Sequence, residues 1–263
     1  MNVAILFDLD GVFYQAGKAI PGAADVARWA RDNAIPHLFL TNTSSRPRSA
    51  LVAKLAGFGI ETDELHILTP PVAAVRWLQQ NHADEKIALF VPEETRAEFS
   101  GLETAQQGED LAAVIVGDLG RDWDFATLNH AFQLLMSEPK PKLIALGMTR
   151  YWQADDGLRL DVAPFVMALS HAADREPLVM GKPAGSFYRA AVEILAVEPD
   201  RVVMVGDDIR GDIDGAQRAG LKAVLVRTGK FRESDLEIGI QPNAVLDLVA
   251  DFPAWYEINF GMC

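Results

Sequence analysis

Cysteine is almost absent from this chain. The single one, Cys263, is the last residue, so no intrachain disulfide can form and no zinc cluster can be built from thiolates. The pattern fits a reducing compartment. Long apolar runs are missing too, and no segment reaches the ~18 residues of a membrane span. The opening Met-Asn-Val-Ala-Ile-Leu-Phe-Asp has no basic stretch, and its apolar run is too short for a secretory signal. Together these absences predict a soluble, cytoplasmic protein with no membrane partner. Basic residues are scarce beside acidic ones, 24 against 37, for a net charge of −13. Binding nucleic acid through its phosphates needs clustered Lys and Arg, so no nucleic-acid partner is expected. A small anionic substrate stays compatible with this charge, because a bound cation reverses the field locally. The five histidines, His37, His66, His82, His130 and His171, fall at no metal-ligand spacing. They read as structural or exposed side chains.

What is present is an ordinary globular composition, 49% apolar over 263 residues. At roughly 100–200 residues per domain, that allows one large domain or two modest ones. Apolar runs alternate with amphipathic stretches. Residues 3–7, 37–40, 202–205 and 223–226 read as buried parallel strands, and 23–33, 47–57, 186–195 and 211–220 as helices. The middle repeats the pattern, with strands at 87–91, 113–116 and 143–146 and helices at 72–80, 125–136 and 164–173. Such alternation predicts a doubly wound parallel sheet of Rossmann-like type. The expected division is a core of residues 1–74 and 177–263, interrupted by a separate α/β insert over 75–176. Near the C-terminus, Phe252, Trp255, Tyr256 and Phe260 are suited to packing on the core or to an interface.

Four segments follow strands and carry candidate chemistry. In Asp8-Leu9-Asp10-Gly11 the two carboxylates, two residues apart, share one face at a strand end, where open α/β sheets bind ligands. Paired carboxylates suit a hard cation. An aspartate side chain is ionised near neutral pH and can attack phosphorus without a base to activate it. Thr41-Asn42-Thr43-Ser44-Ser45-Arg46 offers a hydroxyl and backbone N–H groups to phosphate oxygens. Gly181-Lys182-Pro183 offers an ammonium held between backbone-fixing residues. Gly206-Asp207-Asp208, continuing to Asp212, brings further carboxylates to another strand end. Each segment alone also reads as a turn, a cap or a solvated charge. Their occurrence together, in this order and on suitable elements, carries the functional reading.

The set Asp8-Leu9-Asp10-Gly11, Thr41, Gly181-Lys182-Pro183 and Gly206-Asp207-Asp208 to Asp212 resembles the signature of the haloacid dehalogenase superfamily of phosphohydrolases. An insert between Thr41 and Lys182 is similar to the branch with an α/β cap. Ala19-Ile20-Pro21-Gly22, Gly157-Leu158-Arg159-Leu160-Asp161, Gly215-Ala216-Gln217 and Arg227-Thr228-Gly229-Lys230 extend the likeness over most of the chain, weakening at 93–110 and over the last thirty or so residues. The resemblance implies Asp8 as nucleophile and Mg2+ ligand, and Asp10 as general acid and base whose carbonyl also binds Mg2+. It implies Thr41 and Asn42 on the phosphate, Lys182 on phosphate and nucleophile, and Asp207 as the remaining carboxylate on Mg2+. Asp208 and Asp212 would stand behind these.

The expected activity is thus Mg2+-dependent hydrolysis of small phosphorylated compounds through an aspartyl phosphate. Phosphate monoesters are the first expectation, with pyrophosphate and P–N bonds in range. Other chemistry through the same nucleophile, or a non-catalytic or narrowly specific binding protein on this fold, are the alternatives. Specificity is expected from the insert. Arg150, Tyr151 and Trp152 follow a predicted strand there, as candidates to face a substrate or simply to pack the insert. Association of two copies through the insert is a further expectation.

Overall fold

The computed structural model describes residues 3–105, 110–154 and 157–261; Cys263 lies outside the described residues. The chain divides into two compact units. One comprises Met1–Thr41, Arg48–Leu68 and Lys182–Cys263, and the other Asn42–Pro47 and Thr69–Gly181.

The first unit is built on six strands in the order Ala244–Leu246, Lys222–Val226, Val202–Gly206, Ala4–Asp8, His37–Leu40 and Ile67–Leu68. Every neighbouring pair is parallel. The doubly wound parallel sheet read from the alternation is therefore what the chain forms. All five residues of Ala4–Asp8 are buried, as are all five of Val202–Gly206, which explains why these strands are continuous apolar runs and not alternating ones. Ile5 and Phe7 join Phe39, Val203 and Val205 in one apolar cluster with Val26 and Ala30, Leu51 and Leu55, and Phe252 and Tyr256. These last pairs come from the helices Ala23–Asp32, Arg48–Ala56 and Phe252–Phe260. The C-terminal aromatics are thus core residues in part: Trp29 meets Tyr256 edge-on at 5.3 Å and Phe252 at 6.2 Å. The helix Gly185–Leu195 packs against the strand His37–Leu40, with Phe187 and Tyr188 fully buried.

The direction of winding reverses at one place in this sheet. From Ala4–Asp8 the chain moves outward to His37–Leu40 and Ile67–Leu68. It later returns to the opposite side of Ala4–Asp8 with Val202–Gly206 and moves outward again. The switch point lies between Ala4–Asp8 and Val202–Gly206, the place where open α/β sheets bind ligands beyond their carboxyl ends.

Residues 211–220 are not the single helix their pattern suggests. Ile209–Asp214 is a wide π-type turn and Gly215–Arg218 a short α-helix. The Ile213 N–H reaches five residues back to the Asp208 carbonyl at 3.2 Å. Asp208 Oδ1 caps the turn by accepting from Arg210 N–H at 3.0 Å and Gly211 N–H at 2.8 Å. The Tyr188 hydroxyl donates to the Gly211 carbonyl at 2.8 Å. Side chains thus replace the regular ladder, as is common where a helix start is shaped for a site.

The second unit has its own parallel sheet, in the order Leu178–Val179, Lys142–Ala145, Leu111–Val116 and Lys86–Phe90. Its core joins Phe90, Val114, Val116 and Leu143 to Leu134, Leu135, Val166 and Leu169 from the helices Phe125–Leu135 and Val162–Ala173. An antiparallel hairpin, Tyr151–Ala154 with Gly157–Leu160, is added to it. Among the described residues no helix is long and apolar enough to cross a membrane.

Candidate active site

Strand register brings the first site residues to one edge. Asp8 pairs with Leu40 and Phe7 with Val205. Because all three strands run the same way, Asp8, Thr41 and Asp207 leave the sheet at the same edge. Asp8 and Asp207 flank the switch point.

Lys182 enters this cluster from elsewhere in the chain. Its ammonium is ion-paired with Asp8 and lies 2.7 Å from Asp212 Oδ1. All three residues are buried. Burial works against the ammonium, but the Asp212 and Asp8 carboxylates outweigh it, so the Lys182 pKa is raised. The Asp212 carboxylate lies with those of Asp8 and Asp207, one oxygen of each within 4.8 Å of the others. Asp212 Oδ2 also accepts from the backbone N–H groups of Asp207 and Asp208, at 3.2 and 3.1 Å. The wide turn delivers Asp212 inward, and Gly206 leaves room for it: a Cβ there would lie 2.3 Å from the Asp212 Cβ.

Asp207 is almost wholly enclosed, and its two oxygens differ. Oδ2 accepts from the Lys230 backbone N–H at 2.6 Å. Oδ1 is buried and has no hydrogen-bond partner among the described residues. Burial, then the charges of Asp8 and Asp212, push the Asp207 carboxyl well above the usual carboxylate range. Asp212 is pushed up as well, by burial and by Asp8, against the opposing pull of Lys182. A buried carboxylate oxygen without a partner among the described residues, in a group of three carboxylates of which two pair with the buried Lys182 ammonium, is a donor set suited to a hard cation. The residues therefore fit a divalent metal.

The remaining predicted residues are placed as follows. Asp10 lies two residues beyond the cluster, exposed, and bridges to Tyr14 through the backbone. Thr41 is buried, and its N–H donates to the Leu68 carbonyl at 3.2 Å, extending the sheet ladder by one residue. Asn42 is exposed and groups with the second unit. Asp208 is half-buried, caps the wide turn and meets the Lys230 ammonium at 3.2 Å.

In the second unit a cavity of about 260 Å3 is lined by Asn42, Thr43, Asp118, Thr149, Trp152 and Asp161, among others. Trp152 faces this cavity, while the Arg150 guanidinium sits over the Tyr151 ring, 5.8 Å from its centre. Sequence reasoning missed Asp118 and Asp161 as lining groups. Asp161 closes a quoted motif and caps the helix Val162–Ala173, accepting from the Val162 N–H at 2.6 Å, a role its position just before an apolar helix could have signalled.

The model of the haloacid dehalogenase-like hydrolases matches residues 5–104, and a second model of HAD-like hydrolases matches 179–252. A human protein named phospholysine phosphohistidine inorganic pyrophosphate phosphatase is 36% identical over 235 residues, covering 88% of this chain and 85% of the relative. The mouse haloacid dehalogenase-like hydrolase domain-containing protein 2 is 35% identical, covering 89% and 87%. Among solved structures, a p-nitrophenyl phosphatase from Archaeoglobus fulgidus superposes with a TM-score of 0.88 at 26% identity, over 97% of this chain and 99% of that one.

Proposed function

The chain belongs to the haloacid dehalogenase-like hydrolases and is a phosphohydrolase of that type, and from that premise we propose a Mg2+-dependent phosphatase that forms an aspartyl phosphate on Asp8. The observation that carries the proposal is the buried group of Asp8, Asp207 and Asp212, with Lys182 paired to Asp8 and Asp212 and with Asp207 Oδ1 left without a partner among the described residues. Asp8, Asp207 and the Asp10 carbonyl are the proposed metal ligands, with Asp212 beside them holding Lys182. The metal supplies charge neutralisation between an anionic substrate and an anionic nucleophile.

The chain's own residues do the rest. An Asp8 carboxylate oxygen attacks phosphorus in line, and the bond to the leaving group breaks. Asp10 gives its proton to the leaving atom. Lys182, fixed by Asp212, balances the charge on the transferring oxygens. The Thr41 hydroxyl and the Asn42 N–H hold the other oxygens. Asp10, now a base, takes a proton from water; the water oxygen bonds to phosphorus and the bond to Asp8 breaks, releasing inorganic phosphate. The two carboxylates divide the work because one is buried among charges and the other is exposed.

Small phosphorylated compounds are the proposed substrates, with phosphate monoesters first and pyrophosphate and P–N compounds next. The human relative's name supports the second group and the archaeal neighbour's the first. We assign the second unit the role of selecting the substrate, with Arg150, Tyr151 and Trp152 as its candidate residues. The test is phosphate release from p-nitrophenyl phosphate, pyrophosphate, imidodiphosphate and common sugar and nucleotide monophosphates, with Mg2+ and with EDTA. Metal-dependent release is expected, and the ranking identifies the bond preferred. No release from any of them would overturn the proposal in favour of a binding role.

A further inference from the structure

We infer that Thr228-Gly229-Lys230 is a positioning segment that fixes Asp207 with one oxygen engaged and the other presented to the cation. This rests on the metal reading above and goes beyond it, because none of these three residues belongs to the proposed ligands or to the proposed chemistry.

The argument starts from the asymmetry of Asp207. The terminal torsion of an aspartate is broad and nearly two-fold, so a free carboxylate swings both oxygens through similar positions. Here Oδ2 is held by the Lys230 backbone N–H at 2.6 Å, a short charge-assisted bond. Holding Oδ2 determines where Oδ1 points, and Oδ1 is the buried oxygen without a partner.

The backbone reaches Asp207 because of Gly229. Its φ is +61°, and a Cβ there would lie 1.9 Å from Asp207 Oδ2 and 2.6 Å from the Gly11 Cα. Any side chain would push the segment off the carboxylate. Thr228 supplies the anchor on the other side, its hydroxyl donating to the Gly11 carbonyl. Gly11 belongs to the turn that follows Asp8 and Asp10. The segment therefore ties the loop after Ala4–Asp8 to the loop after Val202–Gly206, across the switch point. The Lys230 ammonium is not what holds Asp207: it is exposed and its contact, at 3.2 Å, is with Asp208. The geometry thus assigns the work to the Lys230 backbone and not to its charge.

Mn2+ binding to the full chain, followed by loss of the free-ion electron paramagnetic resonance signal, tests this in the absence of substrate. Thr228→Val and Gly229→Ala are each expected to weaken Mn2+ binding by about tenfold, the effect typical of removing an outer support of a ligand. Lys230→Ala, which keeps the N–H, is expected not to weaken it. In turnover, Thr228→Val should raise the Mg2+ concentration for half-maximal rate while kcat at saturating Mg2+ stays within about threefold. Thr228→Ser should restore wild-type binding. If Gly229→Ala does not fold, Thr228→Val decides alone. Wild-type affinity in a folded Thr228→Val would overturn the inference, as would equal weakening by Lys230→Ala. The parent reading fails separately: a wild-type chain that binds no Mn2+ sinks the metal site itself, whereas binding lost in Asp207→Asn but kept in Thr228→Val sinks only the positioning role.

Discussion

Lys182 Nζ lies 2.7 Å from Asp212 Oδ1, with both side chains buried. The same ammonium pairs with Asp8, so Asp212 holds in place the buried cation that faces Asp8. Removing one partner of a buried ion pair typically costs about 3–5 kcal/mol, because the other charge is left uncompensated. Lys182→Met should therefore lower the thermal midpoint as well as activity. Loss of one preorganised donor to the transferring group gives about a hundredfold or greater fall in kcat. An unchanged midpoint would mean that the ammonium is not the counter-charge to Asp8 and Asp212.

Asp8→Asn keeps the shape of the side chain and removes the carboxylate proposed as the nucleophile. Turnover should vanish on every substrate, with the circular dichroism spectrum unchanged. Acid-quenched wild-type enzyme should carry a phosphoryl group visible by intact-protein mass spectrometry, and the variant should not. Near-normal activity in Asp8→Asn would end the aspartyl-phosphate mechanism.

Metal should stabilise the fold as well as activate it. A ligand that binds only the native state adds about 2.7 kcal/mol at a hundred times its dissociation constant. The thermal midpoint should climb with Mg2+ and fall back with EDTA, and Asp207→Asn should flatten the response. A midpoint indifferent to Mg2+ in the wild type would count against a metal held by these carboxylates.

His37 gives a pH dependence unconnected with the site. Its ring is half-buried and meets Phe7 and Phe39 edge-on, and Nδ1 lies 2.8 Å from the Ile35 carbonyl, which assigns the proton to that nitrogen. Burial lowers its pKa below the usual value, with the nearby His66 acting in the same direction. The unfolded state then binds a proton more readily than the folded one. The folded state's advantage is fully present above the unfolded pKa of about 6.5 and is lost as pH falls from there through the lower folded value. Between pH 7 and pH 5 the urea midpoint of His37→Asn should therefore rise relative to that of the wild type.

Trp152 is the candidate for leaving-group selection. Aromatic contacts contribute about 0.5–1.5 kcal/mol beyond burial, so Trp152→Ala should lower kcat/KM for p-nitrophenyl phosphate by up to about tenfold. Pyrophosphate, with no aromatic leaving group, should change much less. Equal losses on both would assign Trp152 to packing.

The parts of this molecule that could be read from its residues are those with a strong local signal. Ala4–Asp8, His37–Leu40 and Val202–Gly206 are apolar runs ended abruptly by polar residues, and their termini carry Asp8, Thr41 and Asp207. Tyr14–Gln15 and Lys18–Ala19 form a hairpin that was missed. Its turn is Ala16-Gly17, with φ +48° and +75°; alanine rarely adopts that conformation, so the usual Asn-Gly signal is absent. Ile67–Leu68 and Ala244–Leu246 are too short to show a period. The inward placement of Asp212 was not legible either. It depends on the cap by Asp208, the hydroxyl of Tyr188 and the space above Gly206, and no spacing rule relates these three.

The parallel sheet also fixes when the site can come into being during synthesis. Ala4–Asp8 is made first, yet it sits in the interior of its sheet and must wait for Val202–Gly206, which emerges only after the whole second unit. At the ~5–20 residues per second of translation, that wait lasts on the order of ten seconds. Until then Asp8 has neither Asp207 nor Lys182 beside it. A chain still short of Lys182 and Asp207 therefore carries Asp8 without its counter-charge, and the buried charge cluster assembles only late in synthesis.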